Sequence, residues 1–81
     1  MERKTELSPR QREIMELAAG GMTDKEIALQ TGLSIGTLRS HWDRMRARLD
    51  ASSRGEVIAR AAEEMRRSLV AEVEILRHAL E

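Results

Sequence analysis

The sequence predicts an all-α fold, a four-helix helix-turn-helix domain with an extended C-terminal fourth helix. Three segments begin with Ser/Thr-x-x-Glu/Gln, the capping box that starts helices: Ser8 to Gln11, Thr23 to Glu26 and Ser53 to Glu56. Apolar residues recur with a helical period after each of them. No glycine or proline follows Gly55, so the last helix can continue close to the C-terminus.

The first helix is predicted to begin after Ser8 and to end at Gly20-Gly21. Pro9 suits the first helical position because its missing N–H has no helical partner there, and Gln11 completes the capping box. Residues 1–6 are charged and lack an apolar period, so we expect a flexible lead-in. The core face of this helix consists of Ile14, Met15, Leu17 and Ala18.

A tight turn between the second and third helices is the most specific signal in the chain. The second helix begins with the Thr23–Glu26 box. Gly32 can adopt the positive φ that stops a helix, and Ser34 can cap the next one. Leu33 lies between them and can fill the angle between the two helices. This arrangement is typical of a helix-turn-helix.

The third helix completes that motif, which we place at about residues 24–49, and it has two distinct faces. Its apolar face consists of Ile35, Leu38, Trp42, Met45 and Leu49. Its other side carries Thr37, Arg39, Ser40, Asp43, Arg44 and Ala47. The polar side suits the DNA major groove, although the solvated face of an ordinary bundle helix would have the same pattern.

Individual residues of the third helix have predicted roles. Arg39 can form a bidentate contact with guanine, and Ser40 can bond several bases. Thr37 and Arg44 lie nearer the helix flanks, where phosphates run. His41 borders the core face, where it could contact a phosphate or bond a neighbouring backbone group; the sequence favours neither.

The formal net charge of zero hides an uneven distribution. Residues 1–34 carry five basic and six acidic groups, or −1, and residues 55–81 carry four and six, or −2. Residues 35–54 carry five arginines and two aspartates, or +3. Charges within about 8 Å dominate at physiological salt, so DNA would meet the positive segment first. The acidic remainder should weaken nonspecific binding.

The last helix carries an apolar stripe with spacings of four, three, four, four, three and four. Its members are Ile58, Ala62, Met65, Leu69, Val73, Leu76 and Leu80. A domain this small can cover only the first turns of so long a helix, and exposed stripes usually mark interaction sites. We expect pairing with a second copy. The helix could instead pack only on its own domain or bind a separate regulator.

Several classes of function are disfavoured by composition. The chain has no cysteine, and its two histidines lie on different predicted helices, so we expect no disulfide and no metal site. No nucleophile motif or phosphate-binding loop is present, so we expect neither an enzyme nor a cofactor. No apolar run could span a membrane, and the cysteine usage fits a cytoplasmic protein.

These motifs resemble the LuxR-type helix-turn-helix domain of bacterial transcription regulators. The resemblance covers about residues 7–62 and leaves 63–81 as a C-terminal extension, expected to dimerise. It is carried by Leu7 to Met15, Gly21 to Ala28, Leu33 to His41, Leu49 and Ser53-Arg54.

The nearest confusable module is the last DNA-binding region of sigma factors. The three-residue spacer between Leu17 and Gly21, His41 in the third helix and the Ser53-Arg54 pair favour the LuxR type. The resemblance implies a dimer that regulates transcription from an operator with two half-sites.

By the same resemblance, base contacts are expected at Arg39, Ser40 and Asp43, and phosphate contacts near Lys25 and Thr37. Two residues depart from the family pattern. Gln11 replaces a usual glutamate. Asp43 replaces a basic or neutral residue, and it either accepts a hydrogen bond from cytosine or removes a groove contact.

The sequence as a whole therefore predicts a sequence-specific regulator that binds double-stranded DNA as a homodimer. A separate regulatory protein or the transcription machinery is a further candidate partner. Two alternatives are a protein-interaction module that keeps the fold without binding DNA and a sigma-factor-like promoter-binding domain.

Overall fold

A computed structural model describes residues 7–80 of the chain, and those residues contain four α-helices and no β-strand. The predicted all-α, four-helix class is confirmed. The predicted lead-in at residues 1–6 lies outside the described residues. The helices are α1 (Pro9–Ala19), α2 (Asp24–Thr31), α3 (Ile35–Leu49) and α4 (Arg54–Leu80).

Side-chain caps fix where the first three helices begin. The Ser8 hydroxyl accepts from the Gln11 N–H at 3.2 Å, and Gln11 Oε1 accepts from the Ser8 N–H at 3.1 Å. Thr23 and Glu26 form the same reciprocal box at 3.2 and 3.0 Å. Ser34 accepts from the third N–H of α3. These bonds satisfy N–H groups that have no partner within a helix, and they confirm the predicted caps.

The Thr23 hydrogen bonds also lower the pKa of Glu26 below its ordinary value of 4.5, because the backbone N–H and then the hydroxyl of Thr23 favour the ionised carboxylate. A carboxylate with a lowered folded-state pKa stabilises the fold above its unfolded pKa. That contribution is lost as the pH falls through the lowered folded value. The cap of α2 is therefore intact at neutral pH and weakens only in acid.

Two residues with positive φ end the helices of the helix-turn-helix. Gly32 has φ 76° and donates its N–H to the Ala28 carbonyl, as its sequence position predicts. Leu33 follows and packs against the core. Asp50 has φ 52° at the end of α3, a conformation that aspartate tolerates better than most residues. The sequence contained no glycine to signal this second stop.

The core lies where α1, α2 and α3 meet the first turns of α4. Ile35 was predicted to lie on the core face of α3, but it is 39% exposed because it lies in the first turn, at the edge of that face. Gln11 is buried, which the sequence did not indicate. The buried apolar residues are Ile14, Met15, Ala18, Ile27, Leu38, Trp42, Met45, Leu49, Val57 and Ala61.

Helix α4 begins under a Ser53 cap, whose hydroxyl accepts from the Glu56 N–H at 3.1 Å. The predicted reciprocal bond differs, because Glu56 Oε2 accepts from the N–H and hydroxyl of Ser52 instead of from Ser53. The helix has 27 residues and is therefore about 40 Å long. Residues 69–80 are all exposed. No helix within residues 7–80 combines the length and apolarity needed to cross a bilayer.

Candidate nucleic-acid interface

The polar side of α3 is turned away from the core. Leu38, Trp42, Met45 and Leu49 are buried on one side. By the 100° rotation between successive residues, Ser40, Asp43 and Ala47 lie opposite them. All the predicted contact residues except His41 are exposed, while His41 is half-buried; the exposed ones are Lys25, Thr37, Arg39, Ser40, Asp43 and Arg44.

The cations of this surface are not equally available. Within residues 7–80, neither Arg39 nor Arg44 forms an ion pair, and the same holds for Lys25 at the start of α2. Arg46, by contrast, pairs with Asp43 one turn earlier in α3. The free guanidinium groups flank the centre of the outward face, one on each side, where they can approach an anion without first breaking a bond.

The Asp43–Arg46 pair was not foreseen from the sequence, although the i, i+3 spacing permits it. Arg46 is half-buried, and its guanidinium donates to Oδ1 of Asp43. The outward face therefore carries a neutral pair at its centre where an isolated carboxylate was expected. The bond engages Oδ1 of the exposed Asp43 side chain, and the Arg46 charge offsets that of the carboxylate.

Thr37 and His41 lie on the opposite flank from Arg39. The Thr37 hydroxyl accepts from Ser34 Oγ at 3.0 Å, which holds it at the N-terminal end of α3. His41 Nδ1 is buried and makes no hydrogen bond among residues 7–80. The alternative in which His41 bonds a neighbouring backbone group is thus not realised at Nδ1.

Trp42 connects three helices through a network that the sequence did not reveal. Its Nε1–H donates to Oδ1 of Asp24 at 3.1 Å, in the first turn of α2. The Arg54 guanidinium, at the start of α4, lies 3.2 Å from the same oxygen and 4.9 Å above the indole ring. Arg54 also donates to the Met22 carbonyl at 2.9 Å. The network fixes α2 and α3 to each other and to α4.

The sequence matches the family described as bacterial regulatory proteins, luxR family, over residues 5–61, which is more than half of the chain. The chain belongs to the LuxR family of bacterial regulatory proteins. This confirms the resemblance found in the sequence. The family is one of regulators and not of enzymes. Within residues 7–80, no three His, Cys, Asp or Glu side chains come together as a possible metal site.

Two relatives of this LuxR-family chain are transcriptional regulators by name. The transcriptional regulatory protein DesR of Bacillus subtilis (strain 168) is 35% identical over 57 residues, which are 70% of this chain and 29% of the relative. The putative HTH-type transcriptional regulator YhjB of Escherichia coli (strain K12) is 40% identical over 48 residues, 59% of this chain and 24% of the relative. The chain thus spans less than a third of either protein's length.

The family match ends near Ala61, and the remaining part of α4 carries most of the predicted dimer residues. Ile58 and Met65 are half-buried against the chain's own core, where Val57 and Ala61 make the buried contacts. The core-facing line of α4 is therefore shifted by one residue from the stripe that the sequence suggested. The other stripe residues are exposed: Ala62, Leu69, Val73, Leu76 and Leu80.

Proposed function

We propose that this LuxR-family chain is a sequence-specific transcription regulator that binds the major groove of double-stranded DNA through α3. The outward face of α3 carries this proposal, because it combines exposed base-bonding side chains with two arginines that have no ion-pair partner within residues 7–80. In a helix-turn-helix, the helix that docks on DNA follows a tight turn and has its other face buried in the core. Helix α3 has both features, since it follows the turn at Gly32. The names of DesR and YhjB support the same role.

Each predicted contact residue other than Asp43 has a stated role in this proposal. Arg39 donates to guanine and Ser40 bonds an adjacent base. Lys25, Thr37 and Arg44 contact phosphates at the edges of the groove, and His41 lies close enough to the Thr37 flank to assist them. Because an operator with two half-sites needs a two-fold partner, we further propose that the chain acts as a homodimer paired through α4.

The proposed division of the chain follows from the same geometry. Residues 7–62 form the DNA-binding domain and residues 63–81 form the dimerisation extension, with residues 1–6 preceding the domain. The protein would act in the cytoplasm, where bacterial DNA is accessible to it.

DNA binding is tested by titrating duplexes, selected from a random pool, at two salt concentrations. Each phosphate contact contributes a slope of about −0.9 in the logarithm of the binding constant against the logarithm of salt concentration. Affinity should therefore fall steeply as salt rises. Absent binding, or binding that salt leaves unchanged, would contradict the proposal.

Replacing Arg39 with alanine should cost about 1–3 kcal/mol at one base position and relax the preference there, because a bidentate arginine–guanine contact is lost. Repeating the selection with the variant measures the preference. Arg10→Ala is the matched control, since Arg10 is an exposed arginine of α1 whose ion-pair partner among residues 7–80 is Glu13 of the same helix. An unchanged preference at every position would show that Arg39 does not contact a base.

Replacing Asp43 with asparagine should raise affinity for nonspecific duplex about fivefold at physiological salt, because the change releases Arg46 for one more phosphate contact. The salt slope should steepen by about one contact. Asp50→Asn makes the same charge change at the end of α3, and asparagine tolerates the left-handed conformation there. If both variants change the nonspecific affinity and the salt slope equally, only the net charge of the chain determines nonspecific binding.

A protein-interaction module that keeps the fold without binding DNA is the second candidate. The zero net charge and the exposed half of α4 favour it. The salt titration separates the two candidates, because an interaction module would bind no duplex under any condition. A sigma-factor-like domain is less favoured, since the family matched is that of LuxR regulators.

A further inference from the structure

Small side chains line the centre of the outward face of α3. They are all exposed, and they are spaced by four, three and four residues: Gly36, Ser40, Asp43 and Ala47. At 100° per residue, this spacing places them along one line of the helix. The larger cations Arg39 and Arg44 lie on either side of that line. Base edges can therefore come close to the helix there, within reach of a side chain as short as aspartate.

Asp43 is the charged member of this line. Its side chain is 65% exposed, whereas that of its partner Arg46 is 42% exposed, so the carboxylate is the more accessible half of the pair. A carboxylate can accept about four hydrogen bonds through its two oxygens, and the Arg46 guanidinium donates to Oδ1. Asp43 can therefore accept a further hydrogen bond while the pair stays intact.

The charge of Arg46 reduces the repulsion between Asp43 and the phosphates of DNA. Because the guanidinium bonds the carboxylate directly, the two opposite charges largely offset each other at the distance of a phosphate. At close range the carboxylate still accepts hydrogen bonds, and these require a donor in direct contact with it. A direct contact distinguishes one base from another, whereas repulsion from phosphates does not.

Few groups in the major groove can donate to an aspartate. Guanine presents two acceptors there, and thymine presents one acceptor and a methyl group. The donors are the amino groups of cytosine and adenine. Adenine places its acceptor N7 beside the amino group, where it repels a carboxylate, whereas cytosine has no acceptor beside its amino group. Cytosine is therefore the base that suits an outward-facing aspartate best.

We propose that Asp43 is a specificity-determining residue, which accepts a hydrogen bond from the exocyclic amino group of a cytosine in the duplex bound by α3. This deepens the proposed function, on which it rests, by assigning a base to a residue that departs from the LuxR-family pattern. Asp43 lies four residues after Arg39, or about 6 Å along α3. Successive base pairs are about 3.4 Å apart, so the cytosine should lie about two base pairs from the guanine bonded by Arg39.

Selection of duplexes from a random pool, with the unmodified chain and with two variants, tests this assignment. The unmodified chain should favour cytosine at one position by at least about fivefold, the lower limit for a good contact to a base. Asp43→Ala should remove that preference. Asp43→Asn should replace it with adenine on the same strand, because an asparagine amide bonds both the amino group and N7 of adenine. The guanine preference assigned to Arg39 should persist in both variants.

Asp50→Asn is the matched control, because it removes the same charge from the end of α3, in a conformation that asparagine tolerates. It should leave every base preference unchanged. If Asp43→Ala and Asp43→Asn keep the cytosine preference, the proposal is overturned. It is also overturned if Asp50→Asn changes the preference as much as they do, because charge alone would then explain the effect.

A modified base tests the same contact without changing the protein. One amino hydrogen of cytosine pairs with guanine, and the other points into the major groove. In a duplex, methylation of N4 keeps the pairing hydrogen and replaces the one in the groove. The unmodified chain should therefore lose about fivefold or more in affinity when N4-methylcytosine occupies the selected position. Asp43→Ala should lose much less, and equal losses in the two chains would overturn the proposal.

Failure of this proposal is distinguishable from failure of the proposed function. Salt-dependent binding to selected duplexes, with base preferences that substitution of Asp43 leaves unchanged, would overturn the role of Asp43 alone. A uniform gain in affinity of Asp43→Ala for all duplexes, with the same preferences, would show that the carboxylate only repels phosphates. Absence of binding to any duplex would overturn the proposed function and the role of Asp43 together.

Discussion

Replacing Leu69 with glutamate is expected to convert the proposed dimer into monomers and to lower affinity for a two-half-site duplex by about 10²–10⁴-fold. The loss arises because two linked domains bind the second half-site at a high effective concentration, an advantage that monomers lack. Glutamates buried within the paired apolar stripes of two copies would be left desolvated without opposite charges. Sedimentation and duplex titration measure the two effects.

The same change should leave the monomer intact. Leu69 is largely exposed within one chain, and glutamate forms helices nearly as well as leucine. Ala71→Glu places the same charge on the opposite face of α4 and should preserve the dimer. If the Leu69→Glu chain still sediments as a dimer, the exposed part of α4 is not the interface.

Replacing Arg54 with alanine is expected to lower the free energy of unfolding by about 2 kcal/mol. The variant loses a hydrogen bond to the Met22 carbonyl, a charged bond to Asp24 and the contact above the Trp42 ring. Bonds to charged groups contribute about 1.5–3 kcal/mol, and an arginine over an aromatic ring about 0.5–2. Because the Arg54–Asp24 pair is partly exposed, we expect the total loss of unfolding free energy to lie near the lower limit of these two ranges added together.

Urea unfolding followed by far-UV circular dichroism measures this loss. Arg60→Ala is the control, because Arg60 lies in the same helix and its ion pair among the described residues is an exposed one with Glu56, expected to contribute about 0.3–0.5 kcal/mol. The loss in unfolding free energy for Arg54→Lys should fall between those of Arg54→Ala and Arg60→Ala. Lysine keeps the charge but lacks the planar group that bonds two partners. If Arg54→Ala lowers the free energy of unfolding no more than Arg60→Ala does, the contacts of Arg54 contribute no more than a surface ion pair.

Local signals in the sequence predicted most of the backbone. The boxes at Ser8 and Thr23, the cap at Ser34 and the positive φ of Gly32 each depend on residues only a few positions apart. These local hydrogen bonds and backbone preferences depend little on how the rest of the chain folds. The stop at Asp50 escaped prediction because aspartate adopts that conformation only when the neighbouring structure favours it.

Periodicity identified the faces of α4 but not which one is buried in the core. Val57 and Ala61 form one apolar line, and Ile58 and Ala62 form another beside it. A helical repeat shows which residues share a face, whereas the choice between two adjacent apolar faces depends on the shape of the other three helices. The structure places the first line in the core and leaves the second at its edge.

The network around Trp42 could not be predicted, because it joins residues far apart in the sequence. Asp24 lies 18 positions from Trp42, and Met22 lies 32 positions from Arg54. The contact surface was more accessible to sequence reasoning, since one helix supplies nearly all of it. Even there, the pairing of Asp43 with Arg46 depends on a choice of side-chain conformation that the spacing permits but does not require.

The uninterrupted course of α4 makes the chain sensitive to the length of one segment. A residue inserted between Ala62 and Leu69 would rotate the helix beyond it by about 100° and carry the C-terminal part of the apolar stripe away from its partner in the proposed dimer. Inserting a whole number of turns would restore the angle while moving the two domains of the proposed dimer farther apart. A change in the length of this segment therefore alters both the rotation and the separation of the two domains in the proposed dimer. An operator would have to change its half-site spacing and the rotational phase of its half-sites to match.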